Sequence, residues 1–504
     1  MLERNLAALA ARNADVVDAL RATAPAELEW TVAPDGSPVA ALAGRALASR
    51  HAPREEAVTL ADSVDTREKA VVAVLGFGLG FHVAQFAERL GRSGLVAVLE
   101  PDLALLRAVL SVVDWSAVFE RTNMLFFTGT EPLGRYSERF AGAEGVLIQG
   151  VQLVEHPASR ARTAPFSKDF AQNITETVRA ARVTSATALA RSAHTIRSIL
   201  RNARLYVGGE GLAPLEGIAK DRLGIVVSAG PSLRRNLHLL ARPGIREQCV
   251  IVATQTVLKP LLAEGIRPHF VAALDWHQIS RRFYEGLREQ DVAETTLILD
   301  PQANPVIAES YPGPVRTISA PHLDALLGPL SGTTVPAKGR LPAGATVAHL
   351  CYQIARFLGC NPVAMIGQDL GFTDGVYYAR GTAIDDVWAP ELNPFNTMEN
   401  LEWTRIVRHR SHLVKRRDVH GKSIYTDAQM ETYLQRFEYF FLQDERRGLT
   451  TIDATEGGVR KAGTEVRGLA ETLAVFGGRA VPPIPAPSRG LDAARLGAAA
   501  KRLR

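Results

Sequence analysis

The run Gly224-Ile225-Val226-Val227-Ser228-Ala229-Gly230-Pro231-Ser232-Leu233 combines residue types that suit phosphate. Strand-like residues lead into a turn of Ser228, Gly230, Pro231 and Ser232, and a helical pattern follows at Leu233, Leu237 and Leu240. Ser232 is placed as the N-cap of that helix. A strand that turns sharply into a helix aims backbone N–H groups and the positive helix end at one point, and Gly230 permits an approach that a Cβ would block. A tight βα turn without a ligand would use the same residues. Other polar residues follow apolar runs in the same way: Thr254 and Gln255, Asp275, Asp300, and Gln368 with Asp369. Each alone is a cap or turn type; together they describe one wall. A basic run of Arg405, Arg408, His409, Arg410, His412, Lys415, Arg416 and Arg417 has the charge of an electropositive rim for a carboxylate or phosphate, or of a solvated helix face.

These residues need a scaffold that gathers strand ends. Strand patterns at 224–229, 249–254, 269–274, 295–299, 315–319 and 362–366 alternate with helical ones, which predicts a mostly parallel sheet covered by helices. Such sheets bind ligands beyond the carboxyl ends of their strands. An earlier unit repeats the logic. Ala70–Leu75 reads as strand, Gly76-Phe77-Gly78-Leu79-Gly80 as a Gly-rich turn, Phe81–Leu90 as helix and Leu95–Leu99 as strand, ending on Glu100. This is a Rossmann-like βαβ whose acidic residue has the spacing for a ribose hydroxyl, with glycines in a GxGxG rather than GxGxxG pattern. A Rossmann-like domain that holds no nucleotide, or holds one without chemistry, fits as well as an active site.

The fold class is therefore α/β and multidomain. The expected boundaries are 1–165 for an N-terminal region with the Rossmann-like unit, 166–210 for a helical linker and 211–395 for the central α/β domain. A helical C-terminal part at 396–480 then closes the central domain, and 481–504 is a Pro-rich linker with a basic tail outside the core. Within these, 165–207 predicts a long helix, 396–417 a helix carrying the basic run, 428–442 another helix and Thr450–Ala454 a strand.

A length of 504 residues excludes a single core. With 46% hydrophobic and 22% charged residues the chain is not of the disordered class, and no apolar run reaches membrane-spanning length. The opening MLERNLAALAARNADVV reads as an amphipathic helix and not a signal peptide. Cys249, Cys351 and Cys360, with no CxxC spacing, argue against a disulfide framework or a zinc site and predict buried thiols in the cytoplasm. A net charge of +5 is too modest to suggest a nucleic-acid partner.

Three segments taken together resemble one family. They are Val227–Leu233, Leu261-Leu262-Ala263-Glu264-Gly265-Ile266-Arg267-Pro268-His269-Phe270 running to Leu274-Asp275, and Gly359-Cys360-Asn361-Pro362 through Ile366-Gly367-Gln368-Asp369-Leu370-Gly371-Phe372-Thr373-Asp374-Gly375. The chain resembles the Maf (motility-associated factor) glycosyltransferases, thought to attach nonulosonic acids of the pseudaminic or legionaminic type to flagellin. Thr455-Glu456-Gly457-Gly458 and the Rossmann-like unit are similar to that family too. More distantly, the central domain resembles bacterial sialyltransferases that use CMP-activated sugar. Gly230-Pro231-Ser232, Gly344, Gly367-Gln368-Asp369 and Tyr378-Ala379 match their motifs, while Ala343 and Gly371 depart from the serine and tyrosine found there.

The resemblance implies transfer of a nonulosonic acid from a CMP donor to Ser/Thr of flagellin, with no cofactor or metal required and homo-oligomerisation possible. The departing phosphate would be held by backbone N–H groups of Gly230–Leu233, the Ser232 hydroxyl and Tyr378, with Tyr377 a weaker match. Ser228, Pro231, Thr254, Gln255, Asp275, Gly344 and Gln368 would complete the nucleotide site, and Asp369 would orient the turn carrying Tyr378. A histidine would deprotonate the acceptor hydroxyl. His412, amid cations that keep it neutral, is the first choice, with His349, His409 and His420 as alternatives. A second resemblance, to archaeal 6-hydroxymethylpterin diphosphokinases, would instead recruit Mg²⁺ to Asp275, Asp369 and Asp374 for ATP-dependent transfer, although there is no GxxxxGK[ST] loop. A non-catalytic nucleotide-binding scaffold for flagellin and a methyltransferase at Gly76–Gly80 are further readings.

Overall fold

The computed structural model describes residues 1–65, 68–327, 335–382, 385, 388–408, 413–488 and 490–503. The chain forms two compact units, Met1–Ala190 and Arg191–Arg504.

In the first unit, helix α1 (Leu2–Ala22) buries Leu6, Leu9, Val16, Val17 and Leu20. Strands β1 (Glu29–Val32), β2 (Pro38–Leu42) and β3 (Arg45–Ala46) form a small antiparallel meander around the Pro34–Ser37 turn. Strands β4 (Val71–Leu75), β5 (Leu95–Leu99), β6 (Asn123–Phe127) and β7 (Val151–Glu155) make a parallel sheet in the order β6-β5-β4-β7. Val71–Leu75 and Leu95–Leu99 are apolar throughout because both faces of the sheet are covered. Helix α2 (Phe81–Leu90) starts after the Gly-rich turn, as the sequence predicts.

That turn does not present the expected ligand-binding geometry. Glu100 is fully buried and its Oε2 accepts from Phe77 N (2.9 Å) and Gly78 N (3.4 Å), with Asp102 N on Oε1 at 3.2 Å. The acidic residue expected on a ribose is spent on the turn itself. The glycines face the protein's own atoms: a Cβ on Gly76 would lie 2.0 Å from Ser159 Cβ, and one on Gly80 2.7 Å from the Trp115 indole nitrogen.

Helix α3 (Arg160–Gly208) carries the chain from the first unit into the second. There, β8 (Gly224–Val227), β9 (Val250–Thr254), β10 (Phe270–Ala273), β11 (Thr296–Leu299), β12 (Val315–Thr317) and β13 (Val363–Ile366) occupy the six predicted positions. A two-stranded hairpin, β14 (Leu413–Arg417) and β15 (Ser423–Asp427), precedes β16 (Thr451–Asp453) and β17 (Glu465–Val466). The large sheet is parallel throughout and runs β12-β11-β10-β9-β8-β13-β16-β17. Helix α4 (Leu233–Asn236) is a single turn; α5 (Val347–Phe357), α6 (Met398–Arg408) and α7 (Ala428–Arg446) are longer. One sheet face packs Val226, Val252, Ala272 and Met365 against Cys351, Ile354, Phe437 and Phe441 of α5 and α7; the other buries Ile225, Val227, Ile251 and Ala253. Cys249, Cys351 and Cys360 are buried free thiols.

Three expectations are corrected. The basic run is not one helix: α6 ends at Arg408, and Lys415, Arg416 and Arg417 lie on β14, where Arg416 pairs with Glu431. The Pro-rich segment still belongs to the fold, since Val481 N donates to Glu247 O (2.7 Å) and Pro485 O accepts from Arg316 (3.1 Å). The basic tail forms a helix over Ala493–Leu503 whose Leu496 and Ala499 pack with Tyr206, Ala320 and Leu323.

Candidate functional site

The order of the large sheet reverses between β8 and β13. From β8 the chain proceeds through β9 to β12 on one side; β13, β16 and β17 lie on the other. Loops leaving adjacent strands in opposite directions open a crevice at their carboxyl ends. Ser228 follows β8, Thr254 ends β9, Gln368 and Asp369 follow β13, and Asp275 and Asp300 follow β10 and β11. The alternation that puts Val226 and Val252 on the α5 face carries on to Ser228 and Thr254. Helix α5 leads into β13 and therefore runs antiparallel to it, bringing its start, Gly344 to Thr346, to this same edge. Thr346 caps α5 by accepting from His349 N (3.4 Å). A Cβ on Gly344 would lie 2.4 Å from His349 Cβ, so only glycine fits this entry to the helix.

Ser228 Oγ, Thr254 Oγ1 and Gln368 Oε1 are buried and have no hydrogen-bond partner among the described residues. Leaving a polar group in that state costs about 1–3 kcal/mol. The three residues stand at the carboxyl ends of the neighbouring strands β9, β8 and β13.

The Gly-Pro-Ser turn is arranged differently from the expectation. Gly230 N donates to Gly367 O (2.7 Å) and Leu233 N to Gly230 O (3.1 Å). Ser232 N reaches both Asp369 oxygens at 3.3 Å, and Ser232 Oγ donates to Asp369 Oδ2 at 2.7 Å. Pro231 has no N–H. An internal carboxylate thus fills the cradle expected for phosphate, and a Cβ on Gly230 would lie 2.1 Å from Asp369 Oδ2. Ser232 is fully buried, takes a helical conformation and makes no side-chain cap bond, its hydroxyl being committed to Asp369. Its hydroxyl is not free to hold a leaving group.

Asp369 instead binds three segments together. Besides Ser232 it accepts from the Thr373 hydroxyl, and its carbonyl accepts from Val459 N at 2.7 Å. Gly458 packs so closely that a Cβ would sit 2.4 Å from Asp369 Cα. Burial pushes the Asp369 carboxyl upward, against the hydrogen bonds of Thr373 and Ser232 and the charge of Lys461. Lys461 is itself buried and paired with Asp453 at 2.9 Å. Tyr378 lies beside the same turn: Ala379 N donates to Ala229 O at 2.8 Å. Tyr377 is 4.6 Å from Tyr378 and 5.7 Å from Phe372, ring to ring, and its N–H donates to the buried Glu402 at 3.3 Å.

Further along the edge, Gln255 bridges Asp275 and Tyr284: its amide nitrogen donates to the Asp275 carboxylate and its oxygen accepts from Tyr284 at 2.8 Å. Burial raises Asp275, opposed by Gln255 and by the nearby His277. The ring of Trp276 lies 3.7 Å from that of His277 and beneath the Arg191 guanidinium at 4.6 Å, and Trp276 O is held by His194 at 2.9 Å. None of Trp276, His277, Arg191 and His194 was anticipated. Trp276-His277 was legible as an aromatic–histidine pair directly after a strand end. Arg191 and His194 carried no signal, since they come from a helix some eighty residues earlier.

The histidine candidates separate. His349 is a core residue with both ring nitrogens engaged, by Thr346 Oγ1 (2.8 Å) and Tyr433 O (3.1 Å), and is stacked on Phe437 at 3.9 Å; burial pushes it down to about 3. It is not a general base. His420 is exposed on the β14–β15 turn. His409 and His412 lie outside the described residues. Among the described residues no group of three or more His, Cys, Asp or Glu is arranged to hold a metal ion. The carboxylates considered for Mg²⁺ are each engaged elsewhere: Asp275 by Gln255, Asp369 by Ser232 and Thr373, and Asp374 by Arg234 (2.9 Å) and Arg235 (3.1 Å).

Residues 45–132 match the sequence profile of the glycosyltransferase Maf N-terminal domain. The sealed Gly-rich turn lies inside the matched residues. Residues 197–375, which hold the crevice, match a profile described as 6-hydroxymethylpterin diphosphokinase MptE-like. Among solved structures, a Maf glycosyltransferase from Magnetospirillum magneticum AMB-1 is similar over 99% of this chain and 80% of its own, with a TM-score of 0.54 and 16% identity. That likeness shows a shared fold. No curated protein matches the chain. The profile match at 45–132 supports a glycosyltransferase role.

Proposed function

We propose that this protein transfers a nonulosonic acid, of the pseudaminic or legionaminic type, from its CMP-activated donor to serine or threonine of flagellin in the cytoplasm, in support of flagellar assembly and motility. The observation that carries the reading is the set of unpartnered buried atoms, Ser228 Oγ, Thr254 Oγ1 and Gln368 Oε1, at the sheet edge that also receives the start of α5. Two hydroxyls that can donate and a helix N-terminus suit a phosphate. The polar Gln255–Asp275 pair, one and two strands further on, suits the hydroxyls of a nucleoside.

Transfer breaks the bond between anomeric carbon and phosphate oxygen, and negative charge grows on the CMP that leaves. Ser228, Thr254 and the first N–H groups of α5 would meet that charge, with the Tyr378 hydroxyl as a further donor. Asp369 and Ser232 position this turn and do not touch the donor. The acceptor hydroxyl gives its proton to a histidine, for which His412 is proposed. That no helix among the described residues is long and apolar enough to cross a membrane is compatible with this setting.

The test is release of CMP from CMP-pseudaminate or CMP-legionaminate, together with the intact mass of flagellin. Ser228→Ala is expected to raise the donor KM about tenfold, the worth of one hydrogen bond to a charged group. Tyr378→Phe should lower kcat by one to two orders of magnitude, and His412→Ala should abolish transfer while sparing donor binding. The profile match at 197–375 supports a second reading, ATP-dependent diphosphate transfer to a hydroxymethylpterin. AMP formation from ATP and 6-hydroxymethylpterin, with no CMP released from either sugar donor, would put it first.

A further inference from the structure

The small sheet of the first unit also reverses its order. The chain runs from β4 through β5 to β6 on one side, and β7 pairs with the other edge of β4. Such a reversal opens a crevice at the carboxyl ends of β4 and β7. Glu100 closes the Gly-rich turn there, but a cavity of about 390 Å³ remains beside it. It lies between residues that follow the two strands (Leu79, Phe81, His82 and His156) and the helix Pro53–Asp62, which adds Ala57 and Leu60. All of its lining residues belong to the first unit and are among the described ones. The lining is mostly apolar and holds no lysine or arginine. Its one carboxylate, Glu56, is solvent-exposed and already accepts from Ser49 N at 2.7 Å. The Thr59 and Ser63 hydroxyls donate to Glu55 O and Leu60 O.

Two polar groups are then left inside. His82 and His156 are 3% and 5% exposed and stack with ring centres 4.0 Å apart. Burial lowers them to about 4 and about 2, so both are neutral at ordinary pH. His82 Nε2 lies 2.9 Å from Gly76 O, which can only accept. This ring therefore carries its proton on Nε2, and its Nδ1 is an acceptor. His156 Nδ1 lies 2.8 Å from Ser159 Oγ, which itself accepts from Arg162 at 3.0 Å. Ser159 gives its own proton to that Nδ1, which leaves His156 protonated on Nε2 and offering a donor. Neither remaining nitrogen has a hydrogen-bond partner among the described residues. One acceptor and one donor thus stand on neighbouring rings in the wall of an apolar cavity.

We propose that this cavity binds a small uncharged molecule, an apolar ring body with one hydroxyl or amide that donates to His82 Nδ1 and accepts from His156 Nε2. The volume equals about thirteen waters' share of the liquid, which limits the ligand to a compact ring system. An anion would find no counter-charge in the lining, which sets nucleotides and phosphorylated cofactors aside. A cation would find Glu56 alone, out in solvent. The site lies in the first unit and does not depend on the transferase reading.

The test titrates 2-naphthol calorimetrically into the full-length protein at neutral pH. Parallel titrations use 2-methoxynaphthalene, 2-naphthoate and 2-naphthylmethylamine, which keep the rings and change the polar group. 2-Naphthol is expected to bind, and its methyl ether, which cannot donate, to bind about tenfold more weakly, the worth of one hydrogen bond. The carboxylate and the ammonium ion should give no heat. His82→Phe should bring 2-naphthol down to the affinity of the ether and leave the ether unchanged. Leu60→Trp, which fills the cavity, should abolish binding of both while the protein still melts cooperatively. No binding of 2-naphthol by the wild type, equal affinity for 2-naphthol and its ether, or tighter binding of either ion overturns the proposal, whatever the variants do. Retained binding by folded Leu60→Trp overturns it as well, because the ligand would then sit elsewhere.

Discussion

The Asp369 carboxylate, read from the sequence as orienting the turn that carries Tyr378, holds the Gly-Pro-Ser turn by receiving Ser232 N and Oγ and so supplies an internal anion where a phosphate was expected. His349 makes the same point for histidines, and here the effect is measurable. Burial holds it at about 3 in the fold against an ordinary 6.5. The folded state thus refuses a proton that the unfolded chain accepts, so the stability this neutral histidine contributes is present above pH 6.5 and is lost as pH falls toward 3. Its share of the slope is about 1.4 kcal/mol per pH unit within that window. Denaturant melts of the wild type and His349→Phe from pH 7 to 4 should show a shallower pH dependence in the variant. Parallel curves would mean that His349 is not buried as described.

At the level of elements, two strand–turn–helix units with similar sequence patterns have both closed their turns internally. Glu100 does this for the Gly-rich turn of the first unit, and Asp369 for the Gly-Pro-Ser turn of the second. The available helix start in the crevice is that of α5, eleven residues long and capped by Thr346. The sealed first turn leads to an expected outcome: S-adenosylmethionine and NAD titrated into the protein give no heat. Glu100→Ala should lose about 1.5–3 kcal/mol of stability, the worth of hydrogen bonds to a charged acceptor, without creating that binding. A measurable heat with either ligand would show that the turn opens.

The whole molecule consists of two units with separate cores, one built on the β6-β5-β4-β7 sheet and one on the eight-stranded sheet. Units with their own cores unfold as their own cooperative transitions. Calorimetry of the full chain should therefore resolve two transitions. Phe126→Ala, which empties a fully buried site in the first unit, should lower one of them by about 3–5 kcal/mol and leave the other in place. A single transition that moves as a whole would show that the units are coupled.

What the sequence determined by itself is what neighbouring residues decide. The six central strands and the βαβ pattern around Gly76–Leu99 were legible because apolar periodicity and turn residues act over a few positions. The reversal at β8 and β13 was not, since it depends on pairing between segments more than 130 residues apart. Lys415–Arg417 read as helix because charge runs carry no period, and only pairing with Ser423–Asp427 makes them a strand. The polar residues at the strand ends were legible as a group, but their partners were not. Whether Ser232 meets a ligand or Asp369 is settled by a contact across 137 positions, and Ser228 and Thr254 are left without a partner only because the sheet buries them. Local preference names the atoms that can make hydrogen bonds; packing decides which of them are already used.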